Sequence, residues 1–515
     1  MSARALTRPY GAIFACLALG ACGGGSAPAE VSTPMAGRGA IPSPAHTSAA
    51  RLLDWPEFGL NPKRSNVSLL STGITAANVA HLRRVTVKLP GTVDSSPIYL
   101  HEASVAGRAH SVVVVTTTYG RTLALDASSG EVLWTFTPPG YSRWAGTPQI
   151  TTASPLADPG GRFVYAASPN GLIHKLALSD GREARGWPVP VTREATHEKL
   201  GAALNIDGRY VIAATSGYLG DAPPYQGHVV TIDRESARIA SVFNTLCANR
   251  RQIIVPSSCS ASDSAILSRG GAVVEPTEPG DTRSARIPEP ASRRLLVSTG
   301  NGPWNGTTNF GDSVIELTLP RLRFRQAFTP TNQAELSESD TDLGSSAPVV
   351  LGQDRVLIAG KDGVMRVLSL SHLDGHAPAR PNRLGGEVQR LPLPGGEELF
   401  TAPAVWTQGN RTTVFVGAQQ ATAAYALIGG RLRLVWQNGN PGTSPVLAGG
   451  LLYVYDPSGG GIEVYRPRSG RPIAKLAGSP GHWNSPIVVD GHVVEPEGDA
   501  NEHRLTGTLE LFSTG

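Results

Sequence analysis

The chain has 515 residues, 17% of them charged, with a formal net charge of +4, 59 glycines and 41 prolines. The length permits a large core, and the positive charge is spread without any lysine–arginine block, which argues against a nucleic-acid partner. Low charge with many turn formers predicts short strands joined by tight loops, in an all-β closed fold that runs long as one unit.

At the N-terminus, Arg4 and Arg8 precede the apolar run "AIFACLAL", which is too short to stay in a bilayer as a spanning helix. It ends in "LGAC", Leu19–Cys22. This resembles a bacterial lipobox, which implies a signal peptide over residues 1–21 and a diacylated Cys22. An ordinary secretory signal cleaved nearby is the alternative. Residue 23 is glycine, not aspartate, which by resemblance to enterobacterial sorting favours the outer membrane. The expected location is the bacterial cell envelope, lipid-anchored, facing the periplasm or on the outer membrane. Residues 22–53 are rich in Gly, Ala, Ser and Pro and read as a flexible tether.

From residue 90 onward one phrase recurs eight times. In its clearest form it runs "SSPIYL", "HSVVVVTTT", "YGRTLALDASSGEVLWTF": a small residue and proline, then four short strands separated by turns. The copies lie some 40 to 60 residues apart. That period with four strands per copy predicts an eight-bladed β-propeller, because one such sheet buries its two faces only by stacking in a ring. Trp134, Trp187 and Trp436 fall on the last strand of their copies and read as wedges between blades. The eighth copy ends one strand short at "GTLELFSTG". The segment Leu82–Gly91, "LRRVTVKLPG", is predicted to supply that strand and close the ring without an exposed edge.

Two stretches interrupt the fourth copy and its approach, around Ala248–Ser258 and Glu275–Pro290, and are expected to be exposed loops. Of four cysteines, Cys16 leaves with the signal and Cys22 takes the lipid. Cys247 and Cys259 remain, at a spacing unlike a paired CxxC metal or redox site, and are expected to form a disulfide. His482, His492 and His503 lie in the last copy at no recognised ligand spacing.

The phrase "LALDASSGEVLWTF" resembles the pyrroloquinoline-quinone (PQQ) propeller repeat, and the opening "DWPEFGLNPKRSNVSLLSTGITAANVAHL" resembles the segment before the first blade in such proteins. The resemblance covers roughly residues 54–513 and implies one propeller domain over 54–515. In PQQ-dependent alcohol dehydrogenases a loop like "STGNGPWN" gives an asparagine to calcium, here Asn301. A segment like "ESDTDLGSSAP" carries the catalytic aspartate, here Asp342 or, less well matched, Asp340. One like "GKDGVMRVLSL" carries the basic residue on the quinone, here Lys361. The resemblance therefore implies, as one reading, a PQQ- and calcium-dependent alcohol or sugar dehydrogenase. In it calcium would polarise the quinone while the aspartate takes the alcohol proton.

The departures are specific. The loop after blade one, "GYSRWAGTPQIT", lacks the family's paired cysteines; "SGYLGDAPPYQG" has Tyr218 and Leu219 where the calcium glutamate belongs, with Asp221 displaced; "GGAVVEP" lacks the tryptophan that floors the quinone. The preferred expectation is a non-enzymatic binding or scaffold lipoprotein without cofactor, monomeric, with envelope proteins or an unidentified ligand as partners. It would resemble in broad role the propeller lipoprotein of the outer-membrane β-barrel assembly machinery.

Overall fold

The structure, a computed structural model, describes residues 53–275, 293–377, 380 and 382–514. The lipobox with Cys22 and nearly all of the tether lie outside the described residues. Seven of the repeats each supply four antiparallel strands, consecutive in the chain, to one sheet, and the eighth supplies three. In blade 1 these are Ile98–Val105, Arg108–Thr116, Thr122–Asp126 and Val132–Phe136. The turn before the last strand has a local cause. Asp126 Oδ1 accepts the backbone N–H of Ser128 and Ser129, and Gly130 takes a positive φ of 77°. Asp456 and Gly460 use the same device in blade 7, between its second and third strands, Leu451–Tyr455 and Ile462–Tyr465.

Apolar clusters join every neighbouring pair of blades. Ile98, Val112 and Trp134 of blade 1 pack on Val164 and Leu176 of blade 2, and corresponding clusters follow around the ring. The last cluster unites Tyr453 of blade 7, Val494 of blade 8 and Val113 of blade 1, so the circle is continuous. Trp134 is the wedge expected: its Nε1–H donates to Leu178 O of the next blade at 2.8 Å, over Gly181. Trp436 does the same to Pro467 O over Gly470. Trp187 packs tilted against Tyr165 but precedes its blade's last strand, Val189–Pro190, rather than lying on it.

Blade 8 contains Ile487–Val489, His492–Glu497 and Gly507–Ser513, and its fourth strand is Arg83–Leu89. Arg83 pairs with Ser513 and Leu89 with Gly507, antiparallel over seven residues. The N-terminal segment thus closes the ring as the missing-strand count predicts.

Upstream of that strand the chain threads the middle of the ring. Trp55 exchanges backbone hydrogen bonds with Tyr99 of blade 1, Pro56 O accepts from Ala157 of blade 2, and Pro62 O accepts from Val274 of blade 4. Ser65 O then accepts from Val405 of blade 6, and Val67–Ser68 lies parallel to Val446–Ala448 of blade 7. Arg64 is fully buried and donates to Phe58 O, Leu204 O and Gly270 O while pairing with Glu57 at 2.8 Å. The backbone donors and acceptors at the inner ends of the blades are satisfied by this segment, which fills the axis.

Cys247 and Cys259 form the disulfide, with Cα atoms 6.1 Å apart. The loop it closes exposes Arg251, Gln252, Ser257 and Ser258 but tucks Ile254 against Leu246 and Cys259. Of the second insertion, Glu275 is the last residue of the strand Val273–Glu275, paired with Arg294; residues 276–290 lie outside the described residues. Replacing both cysteines by serine is expected to destabilise the protein by about 2–3 kcal/mol through loop closure in the unfolded chain. Urea unfolding at equal denaturant dependence checks this; an unchanged midpoint would refute it.

Candidate functional site

Because the strands of every blade alternate direction, two kinds of connection emerge at the same end of the ring. One runs between the second and third strands; the other leads from one blade to the first strand of the next. Asn301 and Lys361 are on connections of the first kind, in blades 4 and 5, and Asp342 is on one of the second kind between them. The predicted residues therefore meet. Lys361 Nζ lies 2.5 Å from Asp342 Oδ2 and 3.5 Å from Asp340 Oδ1. The Asn301 backbone N–H donates to Asp342 Oδ1 at 2.8 Å, and its side-chain amide donates to Asp340 Oδ1 at 3.2 Å. Glycine makes the approach possible: a Cβ on Gly300 would lie 2.1 Å from Asp342 Oδ1, and one on Gly344 2.3 Å from the Thr299 backbone.

Asp342 is 2% exposed, and burial pushes its carboxyl up against the pull of Lys361. Burial would lower Lys361, but Asp342 outweighs it and holds the ammonium above its usual value. Beside them Asp312 is buried and pushed up to about 8 by burial, with Asp342 adding to the shift; its carboxyl accepts from the Leu343 N–H. Both oxygens of Asp342 are thus committed within the protein, one to a lysine and one to a backbone amide.

The calcium and quinone donors of a PQQ site are not reproduced around this core. Tyr218 stands in place of the calcium glutamate and spends its hydroxyl on Ala195 O at 2.9 Å, Leu219 is exposed, and Asp221 accepts from the Tyr225 hydroxyl at 2.8 Å. Hard divalent cations need several uncommitted oxygens, so the set around Asn301 does not fit calcium.

A second group lies at the same end, on the axis. Arg269, just before the first strand of blade 4, reaches across the ring and donates to Asp94 O at 3.1 Å and Asp94 Oδ2 at 3.0 Å, at the entry to blade 1. His482 Nδ1 of blade 8 is 2.8 Å from the same carboxylate oxygen, which also accepts the Ala500 N–H at 3.1 Å. Trp483 stacks on His482 at 3.9 Å and on Phe400 of blade 6 at 4.2 Å, with the Arg269 guanidinium 5.2 Å from the Trp483 ring. Burial would raise the Asp94 carboxyl, but Arg269, His482 and the Ala500 N–H together hold it well below the usual carboxylate range. Nearby, burial pushes Lys199 down to about 8, with Arg269 adding to the effect.

His482 thus bonds Asp94, whereas His492 Nδ1 lies 2.7 Å from Asp490 O; around His482 there is a further acid, Asp499. Asp94, His482 and Asp499 have suitable ligand types for a metal. Three hydrogen bonds, one of them from the Arg269 guanidinium, already neutralise Asp94 Oδ2, so the cluster is an internal ion-pair network. Sequence reasoning passed over Asp94, Arg269 and Phe400. The signal is present in "VDSSP", "SRGGA", "LFTAP" and "HWNSP". Aligned on the small residues that open each copy, the side chain just ahead of them points to the axis.

Residues 70–243 match a family model described as PQQ_2, outer membrane protein assembly factor BamB. No curated protein matches the chain. Among solved structures, the quinohemoprotein alcohol dehydrogenase of Comamonas testosteroni is similar with a TM-score of 0.61 at 14% identity, over 90% of this chain and 81% of that one. A europium-containing methanol dehydrogenase is similar with a TM-score of 0.63 at 14% identity, over 90% of this chain and 99% of that one. A quinohemoprotein alcohol dehydrogenase of Pseudomonas putida has a TM-score of 0.60 at 13% identity, over 91% and 81%. At these identities the likeness is one of fold.

Proposed function

We propose that this chain, a PQQ-type eight-bladed propeller, is a binding or scaffold component of the bacterial cell envelope and not a quinoprotein dehydrogenase. The observation that carries the reading is the fate of Asp342. A base for alcohol oxidation needs a free carboxylate oxygen facing substrate. Here one oxygen is bound by Lys361 and the other by the Asn301 N–H. The axis is further filled by Asp54–Ser68 and crossed by Arg269. What remains is a rigid ring with connecting loops gathered at each end, a common platform for protein partners. The family model matched over residues 70–243 carries the name of an assembly factor, which agrees with this reading.

The test is calorimetric titration with PQQ in the presence of Ca²⁺, against Ca²⁺ alone, together with dye reduction by alcohols and sugars. No PQQ-dependent heat and no dye reduction are expected. Saturable PQQ binding that Lys361→Ala weakens would overturn the scaffold reading in favour of the dehydrogenase. Attachment to the envelope rests on the lipobox. Cys22→Ser is expected to move the protein from the membrane to the soluble fraction, and unchanged fractionation would remove the lipid anchor from the proposal.

A further inference from the structure

Away from both clusters, the second strand of blade 8, His492–Glu497, buries two glutamates on one face. Strand residues two apart point the same way, so Glu495 and Glu497 project together. They face the seam with blade 7, where Tyr455 donates its hydroxyl to Ser479 O at 2.8 Å and Ser479 N–H donates to Glu497 Oε1 at 2.5 Å. Glu495 is 1% exposed and Glu497 5%. Neither oxygen of Glu495 has a hydrogen-bond partner, and neither does Oε2 of Glu497. Their neighbour across the sheet, Glu510, shows what a satisfied carboxylate looks like here. Arg84 donates to both its oxygens, at 2.7 and 2.8 Å, and the Thr86 hydroxyl adds a further bond.

Three orphaned oxygens on two adjacent buried carboxylates leave two physical solutions: protons or a cation. The surroundings favour a cation. Beside Glu497 lie two neutral oxygens, the Tyr455 hydroxyl and Ser479 O, each with a lone pair beyond the bond between them, so the donors at hand are oxygens. A Cβ on Gly478 would fall 2.4 Å from Glu497 Oε1, so the seam is kept open by glycine. Glu497 and Ser479 also line a cavity of about 500 Å³ through which an ion can enter; Asp499 lies on its wall, as do Lys88 and the Glu502–Arg504 ion pair.

We propose that Glu495 and Glu497 bind a hard divalent cation, Ca²⁺, that ties blade 7 to blade 8. This site is separate from the Asn301 loop and needs no quinone. It also places the ion beside the one blade assembled from both ends of the chain, where a tie acts directly on ring closure.

The probe is CaCl₂ added to the full protein after chelator treatment, read by thermal melting and titration calorimetry. Ca²⁺ is expected to raise the melting temperature and to bind with release of protons, seen as a buffer-dependent heat. Glu495→Gln is expected to weaken Ca²⁺ affinity about 100-fold or more, since ligand charge sets affinity in such sites. The same variant in chelator should be at least as stable as the wild type, because it removes an orphaned charge; this separates loss of a ligand from misfolding. Two outcomes would overturn the proposal. No Ca²⁺-dependent shift in the wild type would assign a shared proton to the pair. A shift undiminished in Glu495→Gln would place the ion elsewhere.

Discussion

A chain that begins at Thr92 is expected not to yield a soluble monomer, whereas one that begins at Leu53 should fold as the full chain does. The shorter chain loses Arg83–Leu89 and so exposes Gly507–Ser513 as an unpaired strand edge. It also uncovers the apolar face on which Val85 and Val87 pack beside Leu509 and Leu511. Such an edge is a template for association with other chains. The loss extends to the axis. Without Asp54–Ser68, the carbonyls of Leu204 and Gly270 lose the Arg64 guanidinium, and the backbone groups of Tyr99, Val274, Val405 and Leu447 lose their partners. Each buried unpaired group costs about 1–3 kcal/mol, and together they are comparable to the ~5–15 kcal/mol by which a domain is stable. Size-exclusion chromatography and near-ultraviolet circular dichroism of the two chains check this. A native, monomeric protein starting at Thr92 would show that ring closure does not depend on the N-terminal segment.

That segment also marks how far the fold could be read from sequence. The closing strand was legible because its absence from the eighth copy is a counting argument: three strands in a ring of four-stranded sheets require a fourth. Eight blades were legible because every copy repeats a small-residue opening followed by apolar strands at a similar spacing. The threading of Asp54–Ser68 through the axis was not legible. Its residues obey no strand period, and its hydrogen bonds go to six different blades. The disulfide followed from elimination. At the candidate site, Asn301, Asp342 and Lys361 were found through resemblance, and the structure brings them together. The resemblance could not tell that Lys361 and the Asn301 N–H would take both oxygens of Asp342, since that depends on distances of a few tenths of an ångström. The axial network escaped for another reason. Asp94, Arg269 and His482 are hundreds of residues apart, and only ring closure makes them neighbours.

The axial network carries the second large expectation. Arg269→Ala should cost about 3–5 kcal/mol, because it removes one partner of a buried ion pair and leaves the other charged. Asp94 would keep only His482 and the Ala500 N–H, in a position with no side-chain exposure. Replacing both partners by apolar residues of similar volume, Arg269→Met with Asp94→Leu, is expected to recover most of that loss. The pH dependence separates the charge from the packing. Asp94 has a folded-state pKa depressed below its unfolded value, so its contribution is present above the ordinary carboxylate range and is lost as pH falls through the folded value. In Arg269→Ala the depression is relieved, so protonation of Asp94 stabilises that variant as pH drops below about 5. The gap between wild type and Arg269→Ala should therefore be widest near pH 7 and shrink toward pH 4. Chemical denaturation at both pH values measures it. With no cation bound, Glu495 is held well above the ordinary range by burial and by Glu497 and shifts the whole profile in the opposite sense, but equally in both proteins. It cancels from the difference, and a gap that stays constant from pH 7 to pH 4 would mean that Arg269 acts through packing on Trp483 and not through the charge of Asp94.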